Sequence, residues 1–366
     1  MRHMATLLSP RFLRRGLEFF AVASVVALIA LQLYGGNWGA SLEAVERLRP
    51  GWLLAALALA SFDWWGGGVR IWLLTRFLCG RVPFRGMVLA GGLNTWGSYL
   101  TPSQTGGGPM MIWAMSRAGV PVPEAAIATF MSFIGTVVFF AIAGPLAIVL
   151  GAGRSLRLHG VPLLHLSLYD VFKVSAWGFV ITGGLHLAVL LFPGQARRLV
   201  HWAIGWLERR GGGSARLAGR MAGLREAIDR MQECVMQFLT PAGWFALAGG
   251  VVTSALAHAN KLLAGYVVLR ALGIQANFVD VLLLQTVIGF LLYFAPTPGG
   301  AGAAEALSAA LMSVYVPRAL LPIYTLLWRS TVSYATVAFG SLVFFKLLHG
   351  RLEEAAAPPP QAAAAT

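Results

Sequence analysis

The segment YFAPTPGGAGAAEAL, residues 293–307, sets Pro296, Pro298, Gly299, Gly300, Gly302 and Glu305 between long apolar runs. Proline and glycine are the poorest helix formers, and a carboxylate at membrane depth is costly. A second segment, LTPSQTGGGP at 100–109, has Thr101, Pro102, Gly106, Gly107 and Gly108 in a like arrangement. The chemistry such interruptions serve is anion binding. Backbone N–H groups at a half-helix N-terminus carry partial positive charge, and glycine lets an anionic group come close to the backbone. The competing reading is an ordinary loop between two packed helices.

Ionisable residues inside apolar runs are functional candidates by default. Arg329 lies about ten residues into the last run, too deep to reach an interface easily. It is a phosphate partner, since guanidinium grips phosphate bidentately, or it pairs with Glu305. Glu305 has three readings: a cap for the helix it starts, a holder for a head-group amine, or the partner of Arg329. Lys261, clustered with His258 and Asn260, is a counter-charge for a lipid phosphate or for Asp63. Asp63 and Arg70 stand seven residues apart, two turns along one helix face. They pair indirectly, flank a polar path, or Arg70 reaches out to the interface. Asn94 hydrogen-bonds either freed backbone or a head group. No metal-type His/Cys spacing, nucleotide-binding motif or paired catalytic carboxylates occur, so no metal, cofactor or catalytic residue is expected.

The elements that must position these residues follow from composition. Of 366 residues, 57% are hydrophobic and only 11% charged, against about 25% charged in soluble domains. The chain is expected to be an all-α polytopic membrane protein. Six full spans are read at 17–36, 52–78, 122–150, 169–192, 242–269 and 319–347, with two broken, re-entrant stretches at 86–118 and 278–316. The net charge of +14 suits basic cytoplasmic loops and not nucleic acid. Arg11, Arg14, Arg15, Arg76, Arg81, Arg85, Arg117, Lys346 and Arg351 all fall on one side of this map, which puts both termini in the cytoplasm. Arg154 and Arg157 fall on the other side and conflict mildly.

The layout reads as a cytoplasmic N-terminus (1–16), a first membrane repeat (17–150), an outer loop and fourth span (151–192), a basic cytoplasmic loop (193–240), the rest of a second repeat (241–348) and a disordered tail (349–366). Within the basic loop, Leu217, Met221, Leu224, Ile228, Met231, Val235 and Phe238 form an apolar helical stripe. That stripe rests on anionic lipid or packs on the protein itself. Each half has the plan span, span, broken stretch, span. The first half holds an odd number of full spans, so the second enters from the opposite side. This is the pattern of an inverted-topology repeat, which places broken helices and a polar substrate near the midplane.

The stretches LTPSQTGGGPMMIWAMSRAGVPVPEA (100–125), APTPGGAGAAEA (295–306) and LLWRSTVSYATVAFG (326–340) resemble the transmembrane family shared with the flippase part of lysylphosphatidylglycerol synthases. That family takes in stand-alone flippase-like membrane proteins of the UPF0104 type, and a hopanoid-associated subgroup is also similar. The resemblance covers nearly the whole chain. It implies an inner-membrane transporter moving a phosphate-bearing lipid between leaflets, the lipid being an aminoacylated phospholipid, polyprenyl-linked or hopanoid-related. The synthases carry a cytosolic aminoacyl-transfer domain, and these 366 residues contain none, so that activity is not expected. The alternative is a membrane-embedded enzyme or a scaffold of lipid or glycolipid synthesis.

Overall fold

The computed structural model describes residues 10–147, 149–150, 160–161, 166–210 and 215–356. These are almost entirely helical. The exception is a hairpin of two-residue strands, β1 (Gly160–Val161) and β2 (Leu166–Ser167), paired antiparallel. Five helical stretches are long and apolar enough to cross a bilayer: Phe12–Gly35, Val122–Ala147, Lys173–Leu191, Pro241–Ala271 and Arg318–Leu347. The expected outer loop with Arg154 and Arg157, the N-terminal residues 1–9 and residues 357–366 lie outside the described residues.

The first half opens with α1 (Pro10–Gly35) and the short α2 (Trp38–Glu46). The span expected over 52–78 is not one continuous helix. It is α3 (Pro50–Ala60) and α4 (Phe62–Cys79), divided at Ser61, whose hydroxyl donates to the Ala58 carbonyl at 2.6 Å. A short polar side chain competing for helix carbonyls disturbs the ladder. A hairpin follows, α5 (Phe84–Tyr99) and α6 (Gly107–Arg117), and then the long α7 (Val122–Ala147).

Next come α8 (Leu168–Leu191) and a helical pair, α9 (Pro193–Arg210) and α10 (Ala215–Phe238). The second half then repeats the first. Helices α11 (Pro241–Ala257) and α12 (Ala259–Ala271) divide at His258, whose ring shares the Ser254 carbonyl with its own backbone N–H. A hairpin follows, α13 (Phe278–Leu292) and α14 (Ala303–Met312), then a long helix built from α15 (Leu321–Arg329), a π turn over Ser330–Tyr334 and α16 (Ala335–Ala356). The tail expected to be disordered from 349 is therefore helical as far as Ala356.

The halves interlock crosswise. Helix α3 packs on α12 and α4 on α11; α5 packs on α16 and α13 on α7. Two buried clusters form, each drawn mostly from one half and completed by the other. One gathers Leu74, Met87, Leu93, Met110 and Met131, the other Val268, Val281, Leu284, Leu311 and Tyr324. In lipid such clusters gain van der Waals contact more than release from water, so close approach counts. Helices α4 and α5 touch through glycine: a Cβ on Gly91 would sit 2.5 Å from the Gly68 nitrogen.

The stripe on α10 divides. Its C-terminal members Val235 and Phe238 are buried, together with neighbouring Cys234, against α7 and α11, while Leu224 is exposed. Arg230 ties the helix down by bonding Glu124 of α7 at 2.9 Å. Helix α9 is the one that shows apolar side chains outward, namely Leu199, Trp202, Trp206 and Leu207. It is held to α10 by Arg197–Asp229 at 2.7 Å and Glu208–Arg225 at 2.6 Å.

Candidate functional site

The two interruptions have the same local build. Thr101-Pro102 and Thr297-Pro298 each open one 3₁₀ turn, and each second turn residue is left-handed: Ser103 (φ 48°, ψ 30°) and Gly299 (φ 59°, ψ 17°). Proline fixes φ for the first position, and a positive φ next to it reverses the chain within a few residues. The Thr at 101 precedes the helix start at Gly107 by the interval that separates the Thr at 297 from the start at Ala303. The two turns meet tip to tip. Ser103 N–H donates to the Ala295 carbonyl at 3.0 Å, and the Gln104 amide nitrogen donates to the Tyr293 carbonyl at 3.3 Å.

Beside this junction lies a cavity of about 600 Å³. Of the residues expected at a site, Arg70, Asn94, Gly108, Lys261, Gly299, Gly300 and Arg329 line it. Thr101, Pro102, Gly106, Gly107, Pro296, Pro298, Gly302, Glu305 and Asp63 are not among its lining residues. Several of the glycines serve packing. A Cβ on Gly107 would meet Ser98 Oγ at 2.1 Å, and one on Gly106 would meet the Gly97 carbonyl at 2.9 Å, so these two let the arms of the first hairpin close on each other. Two of the N–H groups expected to face a ligand are already satisfied: Gly106 donates to Thr101 Oγ1 at 2.7 Å and Gly302 to Glu305 Oε2 at 2.8 Å.

The charges sort into pairs and one remainder. Glu305, fully buried, accepts from Arg329 Nε at 2.9 Å and from the Tyr334 hydroxyl at 3.2 Å through Oε1, and caps α14 through Oε2. Arg329 also donates to the Gly299 carbonyl at 3.3 Å, fastening the last helix to the second tip. The π turn that follows Arg329 brings Tyr334 to the same carboxylate, and the Tyr99 hydroxyl donates to the Val332 carbonyl within that turn. Asp63, 1% exposed, accepts from Lys261 Nζ at 2.9 Å and from Thr336 Oγ1 at 2.7 Å. The two cations expected to receive phosphate, Arg329 and Lys261, are thus each neutralised by a carboxylate.

Arg70 is different. It is 6% exposed, so it does not reach an interface, and it does not pair with Asp63. Its Nη1 donates to Thr136 Oγ1 at 2.6 Å and Ser254 Oγ at 3.2 Å, and its Nε has no partner. Among the described residues no carboxylate lies within ion-pair distance of Arg70. The wall therefore carries one uncompensated positive charge, held in place by two hydroxyls.

The remaining wall comes from residues that spacing alone could have suggested. Thr129, Ser132 and Thr136 form one polar stripe at i, i+3 and i+7 on the otherwise apolar α7. Gln285 of α13 lends its Oε1 to Trp328 Nε1 at 2.7 Å and leaves its amide nitrogen without a partner. His186 and His258 close two further sides. Each bonds a carbonyl four residues earlier through Nδ1, at 2.6 and 2.8 Å, which makes Nδ1 the donor and Nε2 the open acceptor. His186 stacks on Phe130 and His258 on Phe139.

Residues 19–340, which span both hairpins and the cavity, match the family model described as the lysylphosphatidylglycerol synthase TM region. The chain belongs to this family. A UPF0104 membrane protein of Archaeoglobus fulgidus is 24% identical over 302 residues, covering 80% of this chain and 86% of its own length. Membership makes the chain a multi-pass membrane protein, in agreement with its five apolar spans. The matched region takes in every charged residue of the site, Asp63, Arg70, Lys261, Glu305 and Arg329.

Proposed function

We propose that this protein is a flippase-like transporter of the inner membrane, moving a phosphate-bearing lipid between leaflets through the cavity at the hairpin tips. The observation that carries the reading is Arg70, a buried guanidinium on the cavity wall with no carboxylate beside it. A lone charge at membrane depth costs roughly 2.5–3.5 kcal/mol on insertion scales. A protein that keeps one there, already oriented by Thr136 and Ser254, is prepared for an anion that arrives and leaves. The meeting tips support the rest of the reading. Irregular backbone at membrane depth is tolerated beside a wet cavity, and two crosswise-packed halves of opposite insertion supply it. On this reading the hairpins are re-entrant, the head group crosses at the tips, and the tails stay in the bilayer. Transport runs downhill or on a gradient, and no chemical step occurs at the site. The α9–α10 pair lies on the cytoplasmic face, where its arginines meet anionic lipid.

The test is lipid movement in vesicles holding the purified protein, read by a leaflet-specific quench of tail-labelled phospholipid. Wild-type protein should move an anionic phospholipid at least ten times faster than protein-free vesicles, and Arg70→Gln should lose about tenfold of that rate. Equal rates in all three samples would sink the proposal.

A further inference from the structure

The same walls say which head group fits. Three cations, Arg70, Lys261 and Arg329, line the cavity, and among the described residues no Asp or Glu does. The two carboxylates nearby are spent. Asp63 gives one oxygen to Lys261 and the other to Thr336; Glu305 gives one to Arg329 and Tyr334 and the other to the Gly302 N–H. A head-group ammonium entering here would lose its water, face a net positive wall and find no carboxylate to bond. A phosphate finds the guanidinium of Arg70, which lines the cavity with no carboxylate beside it. A hydroxyl beside it finds neutral partners: the Asn94 amide and Thr129, whose own proton goes to the Ala125 carbonyl so that its oxygen can accept.

We infer that the cavity takes the monoanionic phosphate ester of a polyol, a glycerol- or sugar-type head group, and rejects head groups that carry a free amine. This rests on the transport reading only for what happens after binding. The chemistry is shared by free polyol phosphates. The aromatic share of the wall, Phe130, Phe133 and Phe140 among it, favours the lipid-borne form.

The experiment offers the purified full chain in detergent an equimolar mixture of phosphatidylglycerol, phosphatidylethanolamine and lysylphosphatidylglycerol with matched tails. Bound lipid is counted by native mass spectrometry. Phosphatidylglycerol should exceed each amine lipid by about tenfold or more, as one uncompensated charge on the wall requires. Equal or tighter binding of either amine lipid overturns the inference. Asn94→Asp, which adds a carboxylate to the wall at almost no change in size, should shift the ratio toward the amine lipids by about threefold or more at an unchanged melting temperature. A folded Asn94→Asp protein with the wild-type ratio also overturns it. Soluble glycerol phosphate at the lipid's concentration should displace little phosphatidylglycerol. Full displacement would assign the site to free phosphate esters and overturn the lipid assignment. Selective binding without lipid movement in vesicles would remove the transport reading and leave this one standing; movement with preference for amine lipids would do the reverse.

Discussion

Asp63 and Lys261 stand just past the helix breaks of the two halves, at Ser61 and His258, and join across the interface at 2.9 Å. One residue of each half completes a pair that neither half holds alone. Removing one member of a buried pair leaves an uncompensated charge, at a cost of about 3–5 kcal/mol. Lys261→Met should therefore lower the thermal midpoint more than Asp63→Asn, because it strands the fully buried Asp63, whereas the Lys261 left by Asp63→Asn is a quarter exposed and can hydrate. The double variant should recover most of the loss. Additive losses in a double-mutant cycle of melting temperatures would refute the coupling.

Glu305 and Arg329 make the second such pair, and here neither member is exposed. Glu305→Gln should cost about 3–5 kcal/mol, with Arg329→Lys less damaging but still harmful. A lysine keeps the charge and loses the planar donor set that reaches both Glu305 and the Gly299 carbonyl. Size-exclusion profiles after graded heating check this: Arg329→Lys should fall between wild type and Glu305→Gln.

The tips give a matched pair of backbone tests. Gly299 has φ 59°, and a Cβ there would meet the Phe20 ring at 2.6 Å. Gly299→Ala should destabilise by about 1–3 kcal/mol through strain and overlap. The corresponding residue of the first tip, Ser103, already bears a side chain at φ 48° and is exposed. Ser103→Gly should be neutral or raise stability by up to about 1 kcal/mol. Melting temperatures that move the other way at both sites would refute the assigned turn geometry.

Cys234 on α10 is 2% exposed, and burial together with nearby Glu124 pushes its thiol up to about 11. At pH 8 the thiolate fraction is about one in a thousand, so alkylation should be slow and rise about tenfold per pH unit toward pH 11. The sign for stability follows. The folded protein holds the proton more tightly than the unfolded chain, so this contribution is whole below the ordinary thiol range and is lost as pH rises toward 11. Maleimide labelling from pH 7 to 10 tests it, and rapid labelling at pH 7 would contradict the buried placement.

Helix α9 exposes Trp202 and Leu199 beside Arg198, directly after a membrane span ends at Leu191. A nitroxide at Trp202→Cys should report oxygen access and shallow membrane depth in vesicles containing anionic lipid. The same label at Val235→Cys, on the face of α10 packed against the body, should report neither. Equal depths at the two sites would refute α9 as the lipid-facing member of the pair.

Much of the local geometry was legible in the residues themselves. The Thr-Pro turns, their glycines and the likeness of the two stretches identified the tips, and Glu305, Arg329, Asp63 and Lys261 were each singled out with the right partner among the alternatives. What spacing could not supply was the bookkeeping of charge. Whether Arg329 meets a lipid or Glu305 depends on helices that lie far apart in the chain, and only their packing shows that Arg70 is the cation left over. The glycines misled for a similar reason. Gly107 makes room for Ser98 and not for a ligand, because what a Cβ would strike belongs to the neighbouring helix. The stripe of Thr129, Ser132 and Thr136 was readable and is the clearest missed signal. The amphipathic stripe of α10 was seen with packing on the protein as one of its two readings; its C-terminal part packs so, while Leu224 stays exposed and α9 also shows apolar side chains outward.

The crosswise pairing of the halves also sets an order of events during synthesis. Asp63 leaves the ribosome some two hundred residues before Lys261, an interval of about 10–40 s at ordinary elongation rates. Throughout it, α3 and α4 lack the helices they finally rest against, and a carboxylate bound for the membrane interior has no counter-ion. Stable burial of an ionised Asp63 is therefore expected only once the second half supplies Lys261.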